Sequence, residues 1–121
     1  MKTGIKIKGY NMILGLIVTS AVGILLIVIG IINFNGNINS LHSYHRSRVK
    51  PEDVLPFGRL VGIGMIIMGV AFLVFGVLIT FSSYYKNHLL SIIAYIVMGG
   101  GIVAGTSIAF YAMIKYNGGI F

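Results

Sequence analysis

Three long apolar blocks dominate the pattern of hydrophobic and polar positions along this chain. They cover about residues 12–32, 60–81 and 89–114, and none has Asp, Glu, Lys, Arg or His in its interior. Each block has about the 20 residues that a helix needs to cross the hydrocarbon core of a bilayer. The pattern predicts an all-α integral membrane protein with three transmembrane helices, forming a single membrane domain over residues 1–121.

Turn signals between the blocks predict how the helices begin and end. Asn35-Gly36 follows the first block and tolerates the left-handed backbone that ends many helices. Pro51 suits a first helical position, whereas Pro56 disfavours helical geometry at Leu55, so we expect a short helical turn, a bend and then the second span. The short link of residues 82–88 predicts that spans two and three are antiparallel neighbours.

Composition supports the membrane class. The chain is 57% hydrophobic and 9% charged, with 17 glycines and no cysteine, whereas charged residues make up about a quarter of a soluble domain. Without cysteine, disulfides and thiolate metal sites are excluded. The first block continues well past the small residues Thr19 to Ala21, which favours an uncleaved span over a signal peptide.

The glycines recur at helical spacing and predict the packing faces. Helices in lipid associate through close contact between small residues, because lipid tails remove any hydrophobic driving force between them. The small residues of each span fall within roughly 40° of one line along the helix. The predicted packing residues are Gly23 and Gly30 (with Thr19) in span one, Gly58, Gly62, Gly69 and Gly76 in span two, and Gly101 and Gly105 (with Ala94 and Ala112) in span three. The partner helix could belong to the same chain, a second copy or another protein.

Candidate chemistry is sparse. His42 and His45 have a spacing found in metal sites, but no carboxylate or cysteine accompanies them, which favours two interfacial histidines. Glu52 and Asp53 point about 100° apart on a helix and are poorly placed as a general acid–base pair. We therefore predict no enzyme activity, no cofactor and no metal site. An ion-coupled transporter is also disfavoured, because its spans normally hold an ionisable residue.

The short loop between spans one and two is basic. The formal net charge is +7, and the loop carries Arg46, Arg48, Lys50 and Arg59. Each basic residue near an anionic membrane surface contributes about 1 kcal/mol, so these four predict contact with lipid head groups or with an acidic partner, and they favour a cytoplasmic loop. Basic residues that flank apolar spans usually serve this role, and we expect no nucleic-acid binding.

The loop of residues 36–53, followed by Phe57-Gly58 and a glycine-spaced span, resembles a family of small bacterial three-span membrane proteins whose domain has no assigned function. The resemblance covers mainly residues 20–80, and the lysine-containing N-terminal tail departs from the family pattern. It implies a three-helix protein of the bacterial plasma membrane and supplies no activity.

These observations favour a non-enzymatic accessory or interaction subunit that packs through glycine-striped helices against a second copy or a larger membrane protein. Two alternatives stay open. A holin-like pore-former also has few spans with basic flanks. An oligomeric small-solute transporter would have to use the few polar residues inside the spans, chiefly Tyr95, Thr106 and Ser107.

Overall fold

Three long helices account for most of the described chain. The computed structural model describes residues 2–38 and 49–116, with side chains from residue 11 onward. Helix α1 is Lys2–Phe34, a 3₁₀ turn covers Pro51–Asp53, α2 is Val54–Tyr85 and α3 is His88–Tyr116. Each helix is longer than the roughly 20 residues that a membrane crossing requires. The all-α fold with three helices long and apolar enough to span a membrane is confirmed in the described residues.

Helix α1 extends two residues beyond the predicted span, because a backbone cap and not the edge of the apolar block ends it. After Phe34 the N–H of Gly36 donates to the carbonyl of Asn33 (2.9 Å) and the N–H of Asn37 donates to that of Ile32 (3.2 Å). Gly36 has a φ of +98°, a conformation that glycine adopts without strain. This paired arrangement satisfies the last carbonyls of α1, as the Asn35-Gly36 signal predicted.

The start of α2 differs from the prediction. The expected bend at Pro56 is wrong: the helix begins at Val54 and continues through Pro56 without interruption. Pro56 is the third residue of the helix, where the backbone N–H has no partner within the helix, so proline removes no hydrogen bond there. The 3₁₀ turn that begins at Pro51 leads directly into α2.

Two residues separate α2 from α3. Lys86 has a φ of 53°, and its N–H donates to the carbonyl of Ser82, which also accepts the N–H of Asn87 at 3.0 Å. Asn87 then caps α3, because its Oδ1 accepts the N–H of Leu89 at 3.0 Å. The tight turn makes α2 and α3 antiparallel neighbours, as the short link predicted.

The three helices lie side by side in a row, with α2 in the middle. It contacts α1 on one side and α3 on the other, and the described residues show no comparable contact between α1 and α3. A small apolar cluster lies at the end of the row where α1 ends and α2 begins. Its buried members are Ile38, Val49, Phe57, Val61 and Ala112. Large apolar side chains are exposed along both outer helices, among them Leu25 on α1 and Val103 on α3.

Candidate functional site

Backbone contact between glycines forms the α1–α2 interface. A Cβ on Gly23 would lie 2.8 Å from the carbonyl oxygen of Gly69, and a Cβ on Gly69 would lie 2.6 Å from that of Gly23. One crossing further along, Gly30 and Gly62 face each other in the same reciprocal way. No side chain separates the helices at these two points, so only glycine permits the approach.

At both ends of this interface a glycine of α2 lies against a residue of α1 that is not glycine. A Cβ on Gly58 would collide with the carbonyl oxygen of Asn33, and a Cβ on Gly76 would collide with Oγ1 of Thr19. The Thr19 hydroxyl donates to the carbonyls of Gly15 (3.0 Å) and Leu16 in its own helix. All four predicted glycines of α2 therefore lie against α1 of the same chain.

The α2–α3 interface uses a second face of α2. A Cβ on Gly64 would lie 2.6 Å from the carbonyl oxygen of Gly105, and one on Gly105 would lie 2.5 Å from that of Gly64. Gly101 contacts the Cβ of Ala71. Ala94 and Ala112, which share the face of Gly101 and Gly105, are fully buried.

Gly64 and Ala71 are packing residues that the sequence reasoning missed. At 100° per residue they lie about 150° around α2 from the stripe that faces α1. Their separation of seven residues is the signal that could have found them, since the first stripe of α2 uses the same spacing. The central helix carries two small-residue faces, and this is why it can hold a neighbour on each side.

Methionines of α2 accept a side-chain hydrogen bond from each neighbouring helix. Asn33 is fully buried, and its Nδ2 donates to Sδ of Met65 at 3.2 Å. On the other side, the hydroxyl of Thr106 donates to Sδ of Met68 at 3.8 Å. The predicted first span ends at residue 32 and leaves Asn33 in the asparagine-rich segment that follows, whereas the structure places Asn33 in the last turn of α1.

Among the helical glycines whose surroundings the structure describes, three lie outside these interfaces. Gly15 on α1 and Gly99 and Gly100 on α3 have no heavy atom within 4 Å of the position where a Cβ would be. All three are exposed. They mark the outer faces of the row, which the described chain leaves uncovered.

The described part of the basic loop lies at the end of the row where α2 begins. Lys50 and Arg59 are exposed, and the guanidinium of Arg59 stands 5.7 Å from the ring centroid of Phe34 on α1. Arg46 and Arg48, together with His42 and His45, lie outside the described residues. Among the residues that are described, no three His, Asp or Glu side chains are grouped to hold a metal ion.

Comparison with protein-family models, with curated proteins and with solved structures gives no match to this chain. The physical arrangement of its own residues is therefore the basis for a functional assignment.

Proposed function

We propose that this protein is a non-enzymatic integral protein of the bacterial plasma membrane, acting as an accessory subunit that packs beside another membrane protein. The row of three helices carries the proposal. In the most apolar 18-residue stretch of each helix, the share of residues that is buried differs between the helices. This share is 28% in α2 but only 6% in α1 and 11% in α3. The outer helices thus present two broad apolar faces.

The described polar side chains support a structural role. Thr19 donates to carbonyls of its own helix, and Thr80 donates to the carbonyl of Gly76 at 2.7 Å. Thr106 donates to a neighbouring sulfur. These hydroxyls find their hydrogen-bond acceptors within the three helices, as is typical of hydroxyls in apolar helix interfaces.

The internal glycine contacts decide which surface is left for a partner. The stripes facing α1 and α3 are occupied inside the chain, so a partner must contact an outer face. We assign the contact to α3, where Gly99 and Gly100 have open space around them. Each glycine lowers helix stability by about 1 kcal/mol relative to alanine. Close packing of a partner helix against Gly99 and Gly100 would explain why glycine and not alanine stands at these two positions.

The test uses a photo-crosslinking amino acid at Val103, which is 66% exposed on α3, and at Leu25, which is 59% exposed on α1. In native membranes we expect one discrete adduct from position 103. Gly99→Leu should remove that adduct, because the larger side chain fills the outer face. Gly15→Leu is the matched control on α1 and should leave it unchanged.

Other outcomes separate the remaining functions. If position 103 gives no discrete adduct in native membranes, or if Gly99→Leu leaves the adduct intact, the accessory role on this face is refuted. An adduct of two copies of the chain would make the partner a second copy. Depolarisation of cells on expression, combined with such a self-adduct, would instead support the holin-like alternative.

A further inference from the structure

A cavity with both polar and apolar walls opens where α2 turns into α3. Its volume is about 490 Å³, and it lies between the last turns of α2 and the first turns of α3. The lining residues that matter here are Ile79, Ser83, Lys86, His88, Ser91 and Tyr95. Neither the helix-packing glycines nor the basic first loop contributes to it.

The lining of the cavity changes from basic and polar to apolar along the axis of α3. His88, Ser91 and Tyr95 recur at intervals of three and four residues, so they form one strip on α3, and Tyr95 lies about 10 Å further along the helix axis than His88. At that level the opposite wall is Ile79 of α2, and the Tyr95 ring stands 5.6 Å from the ring of Phe75. The end of the cavity nearest the turn, its mouth, is therefore basic and polar, and the end further along α3 is apolar and aromatic, with Tyr95 itself 64% exposed.

The mouth carries positive charge without a nearby carboxylate. Lys86 supplies an ammonium, and the imidazole of His88 offers an N–H donor in either protonation state. The chain has two acidic residues in all, Glu52 and Asp53. They precede α2, at its opposite end, about 50 Å away along the helix axis. The negative end of the α2 dipole and the positive end of the α3 dipole meet at this turn and oppose each other, so the side chains set the sign of the field.

The turn holds its shape through hydrogen bonds within the chain. The Ser82 hydroxyl donates to the carbonyl of Asn87 at 2.8 Å, and the Ser91 hydroxyl donates to that of His88 at 2.7 Å. Asn87 is occupied in capping α3. Lys86 and His88, both exposed, line the cavity beside this turn.

We propose that this cavity binds the phosphate of an anionic phospholipid, with the acyl part of the lipid following the apolar wall toward Tyr95. A basic mouth above an apolar wall matches an amphiphile whose charged group is a phosphate and whose remainder is hydrocarbon. Tyr84 and Tyr85, which are 72% and 65% exposed at the end of α2, suit the head-group level of a membrane. The inference rests on the membrane insertion proposed above.

The experiment is native mass spectrometry of the full chain in mild detergent, with phosphatidylglycerol or phosphatidylcholine of the same acyl chains added. Wild type should retain phosphatidylglycerol preferentially. Lys86→Asn should lower that preference about fivefold, since one basic residue near a lipid phosphate is lost. Asparagine tolerates the left-handed backbone at this position, so the turn is kept. Lys115→Gln removes the same charge at the far end of α3 and should leave the preference unchanged.

A second variant separates a cavity from general surface charge. Ser83→Leu fills the cavity while leaving Lys86 in place, and it should also lower lipid retention. Equal retention of the two lipids by wild type, or an unchanged preference in both variants, would overturn the proposal. Displacement of the lipid by glycerol 3-phosphate would reassign the cavity to a soluble phosphate ester and refute the lipid part. A chain that stays dispersed without detergent would instead refute membrane insertion.

Discussion

Replacing Gly64 by alanine would add one methyl group to the α2–α3 interface at a point where two backbones meet. The new Cβ would lie 2.6 Å from the carbonyl oxygen of Gly105, whereas carbon and oxygen ordinarily approach to about 3.3 Å. The obstacle is backbone, which cannot rotate away as a side chain can. The two helices would therefore have to separate by about 0.7 Å.

The size of the effect follows from that separation. A gap of about 0.5–1 Å forfeits a quarter to a half of the dispersion attraction between the atoms concerned, and overpacking of this kind costs about 1–3 kcal/mol. Alanine returns up to about 1 kcal/mol of helix propensity. We expect Gly64→Ala to lower the free energy of unfolding by about 1–2 kcal/mol. Gly99→Ala meets no atom within 4 Å, so it should raise stability slightly.

The assay exploits the absence of cysteine from the chain. Dyes attached to cysteines at exposed positions 50 and 115 would report the approach of α2 and α3 by energy transfer, measured through a titration with sodium dodecyl sulfate. Gly64→Ala should lose energy transfer at a lower detergent fraction than wild type, and Gly99→Ala should not. If both variants separate at the wild-type fraction, the tight backbone contact does not limit stability and the reasoning is wrong.

Three further predictions follow from particular contacts. Gly76→Ala should destabilise the α1–α2 pair because its Cβ meets Oγ1 of Thr19, and adding Thr19→Ala should restore part of the loss. The measurement is the same titration with the dyes moved to exposed positions 11 on α1 and 86 after α2, and absence of rescue would show that another atom is the obstacle. Lys86→Gly should raise the free energy of unfolding by up to about 1 kcal/mol, since the φ of 53° strains a residue with a side chain; a lower value would contradict this. Single cysteines at positions 50 and 86, at opposite ends of α2, should react with a membrane-impermeant maleimide from opposite sides of the membrane, and labelling of both from one side would rule out a spanning α2.

The local sequence pattern sufficed for part of the fold. It predicted the three apolar helices and the end of α1 at Gly36, because both depend on local properties of the chain. The predicted bend at Pro56 was wrong because the effect of proline depends on its position in a helix. Hydropathy does not determine the first residue of α2, so this position could not be predicted.

The second face of α2 needed the three-dimensional arrangement. A stripe of small residues does not state which helix it contacts, so the pairing of Gly64 with Gly105 could not be read from spacing alone. Asn33 looked like a loop residue because an asparagine-rich segment follows it. Its burial against Met65 depends on the length of α1 beyond the apolar block.

The central position of α2 also has a consequence for biosynthesis. Helices α2 and α3 each pack chiefly on the helix that precedes them in the chain, so each interface can form as soon as the later helix has been synthesised. The hairpin of α1 and α2 has its full set of glycine contacts before α3 is made. No helix has to wait for a distant partner, which shortens the time during which the backbone carbonyls of these seams are exposed to competing chains.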